Sequence, residues 1–183
     1  MKTLFVFTLC LIYFIFIWRW KKKPQGFYKD NQLFIWGHRG SPLDKTENTL
    51  PSFQRAIEQG VNGIELDVRC TKDKRVVVFH DQDLSRLGGK KQKIKEMTCE
   101  ELKTVFLKNK ETIPLLEELT DIVNQTGAIN IEIKSDSIFS GYAAVAPVVE
   151  FIKKHNLYKK CVVSCFNPLV LIALKMQTSQ VIV

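Results

Sequence analysis

Two short runs of this chain place acidic side chains where a buried strand should be apolar. In Ile64-Glu65-Leu66-Asp67-Val68, alternation puts Glu65 and Asp67 on one face and the three aliphatic residues on the other. The run Ile131-Glu132-Ile133-Lys134 repeats the pattern, with Glu132 and Lys134 sharing a face. The chain alternates strands with helical segments, and a parallel strand covered by helices should read as nearly continuous hydrophobic sequence. Carboxylates on such a face are costly unless they are paired or hold a cation. The plain alternative is a pair of edge strands, each with one wet face.

The rest of the body alternates strand and helix. Leu33–Trp36 reads as a short strand ended by Gly37 and Gly40, and Thr49 or Asn48 can cap a helix carrying Pro51 in its first turn. Strands are expected over Gly63–Val68 and Arg75–Phe79, joined by the polar turn Thr71–Lys74. A charged loop over 81–95 precedes a capping box of Thr98 and Glu101, whose helix should run to about Leu107. Helices are expected over Leu115–Asn124 and over Tyr142–His155, the latter kinked at Pro147, and from Asn167-Pro168 onward. Strands are expected over Ile129–Lys134, Cys161–Cys165 and Gln180–Val183. This order predicts a parallel α/β sheet, either a barrel or a doubly wound sheet.

The chain has 183 residues and a formal charge of +8, which raises the question of nucleic acid. Residues 1–23 hold five basic residues and no acid, so 27 less 5 leaves 22 bases against 19 acids for the remainder. The body is nearly balanced, and no nucleic-acid partner is expected. Thr3–Trp20 is almost wholly apolar, with Trp18 and Trp20 beside a basic cluster at its end. That pattern predicts one N-terminal transmembrane helix, since a span needs roughly 17–25 such residues. A cleaved signal peptide is the weaker reading, because no small-x-small site follows the apolar run. The expected division is an anchor with basic flank over 1–23, a linker over 24–32 and one domain over 33–183, with the body on the cytoplasmic side of a membrane. The five cysteines lack metal-type spacing and are expected to be reduced.

The candidate site lies at the strand ends. His38 follows the first strand and His80 ends the third, and in α/β barrels the C-terminal strand ends carry the active site. His155, beside Lys153 and Lys154, reads instead as a solvated residue at a helix end. Oxygen ligands without cysteine suit a hard divalent cation, Mg²⁺ or Ca²⁺. Arg39 and Lys134 beside it suit a phosphate group, and two histidines suit proton transfer on either side of a reacting phosphorus. The chemistry expected from the residues alone is metal-assisted phosphoester cleavage.

The ordered series His38-Arg39-Gly40, Glu47-Asn48-Thr49, Gly60, Glu65-Leu66-Asp67-Val68, Thr71-Lys72-Asp73, His80-Asp81 and Glu132-Ile133-Lys134 resembles the motif series of the glycerophosphodiester phosphodiesterases. The resemblance implies a TIM-type (β/α)₈ barrel that hydrolyses glycerophosphodiesters such as glycerophosphocholine to an alcohol and glycerol 3-phosphate; some relatives act on lysophospholipids. Carried over, it implies Glu65, Asp67 and Glu132 as ligands of one divalent cation, His38 and His80 as the acid–base pair, and Arg39 and Lys134 as phosphate binders. It also implies Glu47 as a residue that orients these groups or approaches the metal. A closed barrel of this type usually takes about 250 residues, so the expectation here is an incomplete barrel of about six strands, the sixth reaching Val183. A lyase-like relative that releases a cyclic phosphate would use the same residues. A non-catalytic remnant that binds phosphodiester head groups or a partner chain is the reading from a different class.

Overall fold

The computed structural model describes residues 6–13 and 33–183. Five strands form one sheet: β1 (Trp36–His38), β2 (Gly63–Cys70), β3 (Val76–Val78), β4 (Ala128–Ile133) and β5 (Cys161–Ser164). β1, β2, β4 and β5 are parallel and adjacent in chain order. Ile182 continues the series by bridging Val162 in parallel, where a strand over Gln180–Val183 was expected. Monotonic order without a reversal is the wall of a barrel; a doubly wound sheet would reverse direction at a switch point. The crossover helices are α1 (Leu50–Glu58), α3 (Thr120–Gln125), α4 (Val145–Lys154) and α5 (Pro168–Gln177), while α2 (Cys99–Lys103) lies in the excursion between β3 and α3.

Several local expectations shift for identifiable reasons. The first strand starts three residues later than Leu33–Trp36 and ends two later, because Leu33 and Ile35 are exposed while Gly37 is buried. A Cβ on Gly37 would stand 2.9 Å from the Cβ of Ala56, so glycine lets α1 lie close on β1. Thr49 is the cap of α1, accepting from the Ser52 amide, and the Thr98–Glu101 capping box is complete. That helix nevertheless ends at Lys103. The segments over Leu115–Asn124 and Tyr142–His155 each begin with a 3₁₀ turn, Leu116–Leu119 and Tyr142–Ala144, before the α-helix. Pro147 then falls in the first turn of α4, where its missing N–H costs nothing and no kink follows.

The third strand departs from an all-parallel sheet. β3 runs antiparallel to β2, with Val68 opposite Val78 and Cys70 opposite Val76. Its side chains divide between two apolar clusters with period two. Val76 and Val78 join the main core between the sheet and α1, α3, α4 and α5. Val77 and Phe79 join a second core with Leu84, Ile94, Met97, Leu102 and Val105. The charged loop over 81–95 is therefore the start of a packed excursion with its own apolar centre.

The expected membrane span is corrected. Among the described residues no helix is long and apolar enough to cross a membrane. Of the expected span the structure describes residues 6–13, which are helical. The rest of Thr3–Trp20, the basic flank and the linker over 24–32 lie outside the described residues. The placement of the body on one side of a membrane has no support in the structure.

Candidate active site

Glu65 and Asp67 sit on β2, and Glu132 sits opposite Asp67 in the register of β4. One carboxylate oxygen from each lies within 4.8 Å of the others. Glu65 and Asp67 are 6% and 1% exposed, so these are acids on a covered face and the edge-strand alternative fails.

Two cations answer part of this charge. Lys134 donates from Nζ to Glu132 Oε1 at 2.7 Å and stands 3.2 Å from Asp67 Oδ1. Arg39 Nε stands 3.2 Å from Asp67 Oδ2. Neither approach to Asp67 has hydrogen-bond alignment, so Arg39 Nε and Asp67 Oδ1 are both buried without such a bond. Glu65 is less well compensated: it accepts the Arg39 amide at 3.0 Å, and His38 Nε2 is 3.8 Å away. Burial, followed by the charge of Asp67, pushes its carboxyl up to about 7. A half-buried site with three converging carboxylates, one raised pKa and an unaligned buried oxygen fits a hard divalent cation. All the donors are oxygen.

His38 closes β1 and is largely exposed. His80 lies on a different kind of connection from the one expected. It follows an antiparallel strand, and the β2–β3 hairpin brings it back: the Phe79 amide donates to the Asp67 carbonyl at 2.9 Å. His80 Nδ1 is 2.7 Å from Asp81 Oδ1, and its carbonyl accepts from Arg69 Nε at 2.9 Å. Arg69 in turn grips Asp136 with both terminal nitrogens, at 2.8 and 2.9 Å, tying the hairpin to the loop after β4.

The β1–α1 loop sets Arg39. Arg39 and Asn48 both have left-handed backbones, with φ of 56° and 57°, and the Asn48 amide donates to the Arg39 carbonyl at 3.0 Å. Such conformations persist only where surrounding structure holds them. Here Ser52 Oγ donates to the same carbonyl at 3.0 Å and accepts the Ser41 amide at 2.9 Å. Glu47 does not join the three-carboxylate cluster; it accepts from Arg39 Nη1 at 2.9 Å and from both terminal nitrogens of Arg86, at 2.8 and 2.7 Å. The hydrogen bond from Arg86, and then that from Arg39, hold its carboxyl below the ordinary value against the effect of burial.

Three residues here had no role from sequence. Asn48, a candidate helix cap and part of the Glu47-Asn48-Thr49 motif, is buried and uses its amide on Asp67 twice: Nδ2 donates to Oδ2 at 2.8 Å and Oδ1 accepts the Asp67 amide at 3.2 Å. Arg69 and Arg86 act through partners far off in sequence, at Asp136 and Glu47. A signal was available only for Asn48, since asparagine tolerates the left-handed backbone that its loop imposes.

Residues 38–182 match the Glycerophosphoryl diester phosphodiesterase family. A glycerophosphodiester phosphodiesterase from Bacillus altitudinis is 38% identical over 142 residues, covering 73% of this chain and 58% of the relative. A lysophospholipase D from Homo sapiens is 33% identical over 132 residues, covering 65% of this chain and 40% of the relative. Among solved structures, an Oleispira antarctica phosphodiesterase in complex with the product sn-glycerol-3-phosphate superposes with a TM-score of 0.74 at 30% identity, over 81% of this chain and 64% of that one. The chain thus spans less than two thirds of the length of each of these three.

Proposed function

The chain belongs to the glycerophosphoryl diester phosphodiesterase family, and on that premise we propose that it hydrolyses glycerophosphodiesters to an alcohol and glycerol 3-phosphate. The observation that carries the reading is the cluster of Glu65, Asp67 and Glu132 with Arg39 and Lys134 at its edge. The three carboxylates would hold one divalent cation, Mg²⁺ or Ca²⁺, which when bound supplies positive charge to a phosphate oxygen. Arg39 and Lys134 contribute charge-assisted hydrogen bonds to the remaining oxygens. One of His38 and His80 takes a proton from the attacking water and the other gives one to the departing alkoxide. Asp81, an acceptor only when ionised, requires the proton of neutral His80 to sit on Nδ1 and leaves Nε2 for the transfer. Loops after β4 and β5 also present Ile138, Phe139 and Phe166 to solvent, joined by the Asn167 side chain, which donates to the Ile138 carbonyl at 3.2 Å. An apolar rim beside a phosphodiester site favours lysophospholipids among the substrates.

The test is product analysis with glycerophosphocholine and a lysophospholipid in the presence of each cation. Glycerol 3-phosphate or lysophosphatidate is expected; a cyclic phosphate as the final product would make the chain a lyase. His38→Ala and His80→Ala should each lower kcat by about 10²–10⁴-fold with little change in KM. Arg39→Ala should also raise KM, through loss of a ground-state contact. A folded chain that releases no product from either class would overturn the reading and leave non-catalytic head-group binding.

A further inference from the structure

Arg86 lies outside the metal and phosphate groups, yet it spans two of their supports. Its Nε donates to Asp81 Oδ2 at 2.6 Å, while Nη1 and Nη2 grip both oxygens of Glu47. Asp81 Oδ1 faces His80 Nδ1 at 2.7 Å, and Glu47 Oε1 accepts from Arg39 at 2.9 Å. An unbroken line of charge-assisted contacts therefore runs His80–Asp81–Arg86–Glu47–Arg39. It crosses from the excursion after β3 to the loop after β1, parts of the chain that no strand pairing joins.

The contact between His80 and Asp81 needs such an anchor. Neighbouring side chains in extended chain point to opposite sides, so a carboxylate reaches the preceding imidazole only where the backbone bends, as it does at Asp81. A carboxylate free to rotate would spend much of its time in water. Arg86 holds one oxygen and so aims the other. Lysine is a poor replacement, because its three donors radiate from a single nitrogen, whereas Arg86 reaches Asp81 and both oxygens of Glu47 from three separate nitrogens of a rigid fork. Burial alone would push the Asp81 carboxyl up; the hydrogen bonds from Arg86 and His80 outweigh it and hold Asp81 below its ordinary value, hence ionised.

We propose that Arg86 is a positioning residue that sets His80 through Asp81 and Arg39 through Glu47, and so fixes the proton-transfer group and the phosphate-binding group in one frame. The roles of His80 and Arg39 in this statement rest on the phosphodiesterase reading; the alignment of His80 does not. Two measurements on the full chain separate them. The first is the ¹⁵N spectrum of the His80 ring. In the parent the neutral ring should be held as the Nδ1–H tautomer, and Arg86→Ala and Asp81→Ala should both shift it toward the Nε2–H form that free imidazole side chains prefer. The second is kinetic. Arg86→Ala should lower kcat by about 10²-fold, the scale of a small misplacement of reacting groups, and should raise KM through Arg39. In a His80→Ala background the same change should leave kcat nearly unmoved while KM still rises. A general loss of structure would lower both backgrounds alike. Arg86→Lys should behave as Arg86→Ala. If the tautomer is the same in the parent and in a folded Arg86→Ala protein, or if Arg86→Lys retains the parent tautomer and kcat, the proposal is overturned. If the parent turns over no phosphodiester but the tautomer shifts as stated, the phosphodiesterase reading fails and the positioning of His80 by Arg86 stands.

Discussion

Glu65 shows how one residue ties the site to solution conditions. Its carboxyl is pushed up to about 7, first by burial and then by the charge of Asp67, whereas in the unfolded chain it returns to its ordinary value of 4.5. A group whose folded pKa is raised contributes stability below the unfolded value and loses it as pH rises through the folded one. The metal-free protein should therefore lose stability between roughly pH 4.5 and 7. A cation that binds the ionised carboxylate must displace the proton, so its apparent Kd should weaken as pH falls below about 7. Calorimetric titration with Mg²⁺ or Ca²⁺ at about pH 7.5 and 5.5 checks this; equal affinity at the two values, or binding that survives in Glu65→Gln, would count against Glu65 as a ligand. The acids at the heart of the site were legible in sequence because alternation on a strand is strict: Glu65, Asp67 and Glu132 broke an apolar rule in a regular way. Arg69 and Arg86 were not, because a basic residue at the end of a strand or in a loop breaks no rule, and their partners lie 67 and 39 positions away. Asn48 offered only its tolerance of a left-handed backbone, with its partner 19 positions away.

Among elements, the β1–α1 loop carries the greatest constraint for its length. Gly40 has φ of +86°, and a Cβ there would come within 2.4 Å of Ser52 Oγ and 2.6 Å of the Ser52 carbonyl carbon. Gly40→Ala must therefore push the loop from the start of α1 and disturb the Ser52 hydrogen bond to the Arg39 carbonyl. The expected cost is about 1–3 kcal/mol from the backbone alone, read as a lower denaturant midpoint. Gly60→Ala is the comparison. It also has positive φ, at +82°, but its Cβ would meet nothing within 4 Å, so it should be milder and spare activity. Equal effects of the two substitutions would mean that the contact with Ser52 is immaterial. Element types were mostly legible here, because glycine, proline and capping residues punctuate this chain clearly. What escaped was the hairpin of β2 and β3. Val76, Val77, Val78 and Phe79 form a continuous apolar run, which reads as a parallel core strand. The same run serves an antiparallel strand whose two faces pack on two different cores. Periodicity cannot separate those cases, since both bury every residue.

At the scale of the whole molecule, the site lies across the seam between the two cores. The three carboxylates belong to β2 and β4 of the main sheet, while His80 and its neighbour Asp81 belong to the excursion that packs on the second core. Two arginine contacts cross the seam: Arg69 Nε to the His80 carbonyl and Arg86 to Glu47. A cation held by Glu65, Asp67 and Glu132 would act on the main sheet directly, because β2 and β4 are its two central strands and pair over six positions. Binding only the native state at a hundred times its Kd adds about 2.7 kcal/mol. For a body of this size that is a rise in Tm on the order of 5–10 °C. The gain should vanish in Glu132→Gln, which keeps the shape of the side chain and removes its charge. Because the ligands sit on the sheet, the added protection in hydrogen exchange should be largest for the amides of Ile64–Val68 and Ile129–Ile133. The second core should gain mainly through global unfolding. A Tm unmoved by saturating Mg²⁺, Ca²⁺ and Mn²⁺ would remove the cation from the site, and the three carboxylates would then have only Arg39 and Lys134 to offset their charge.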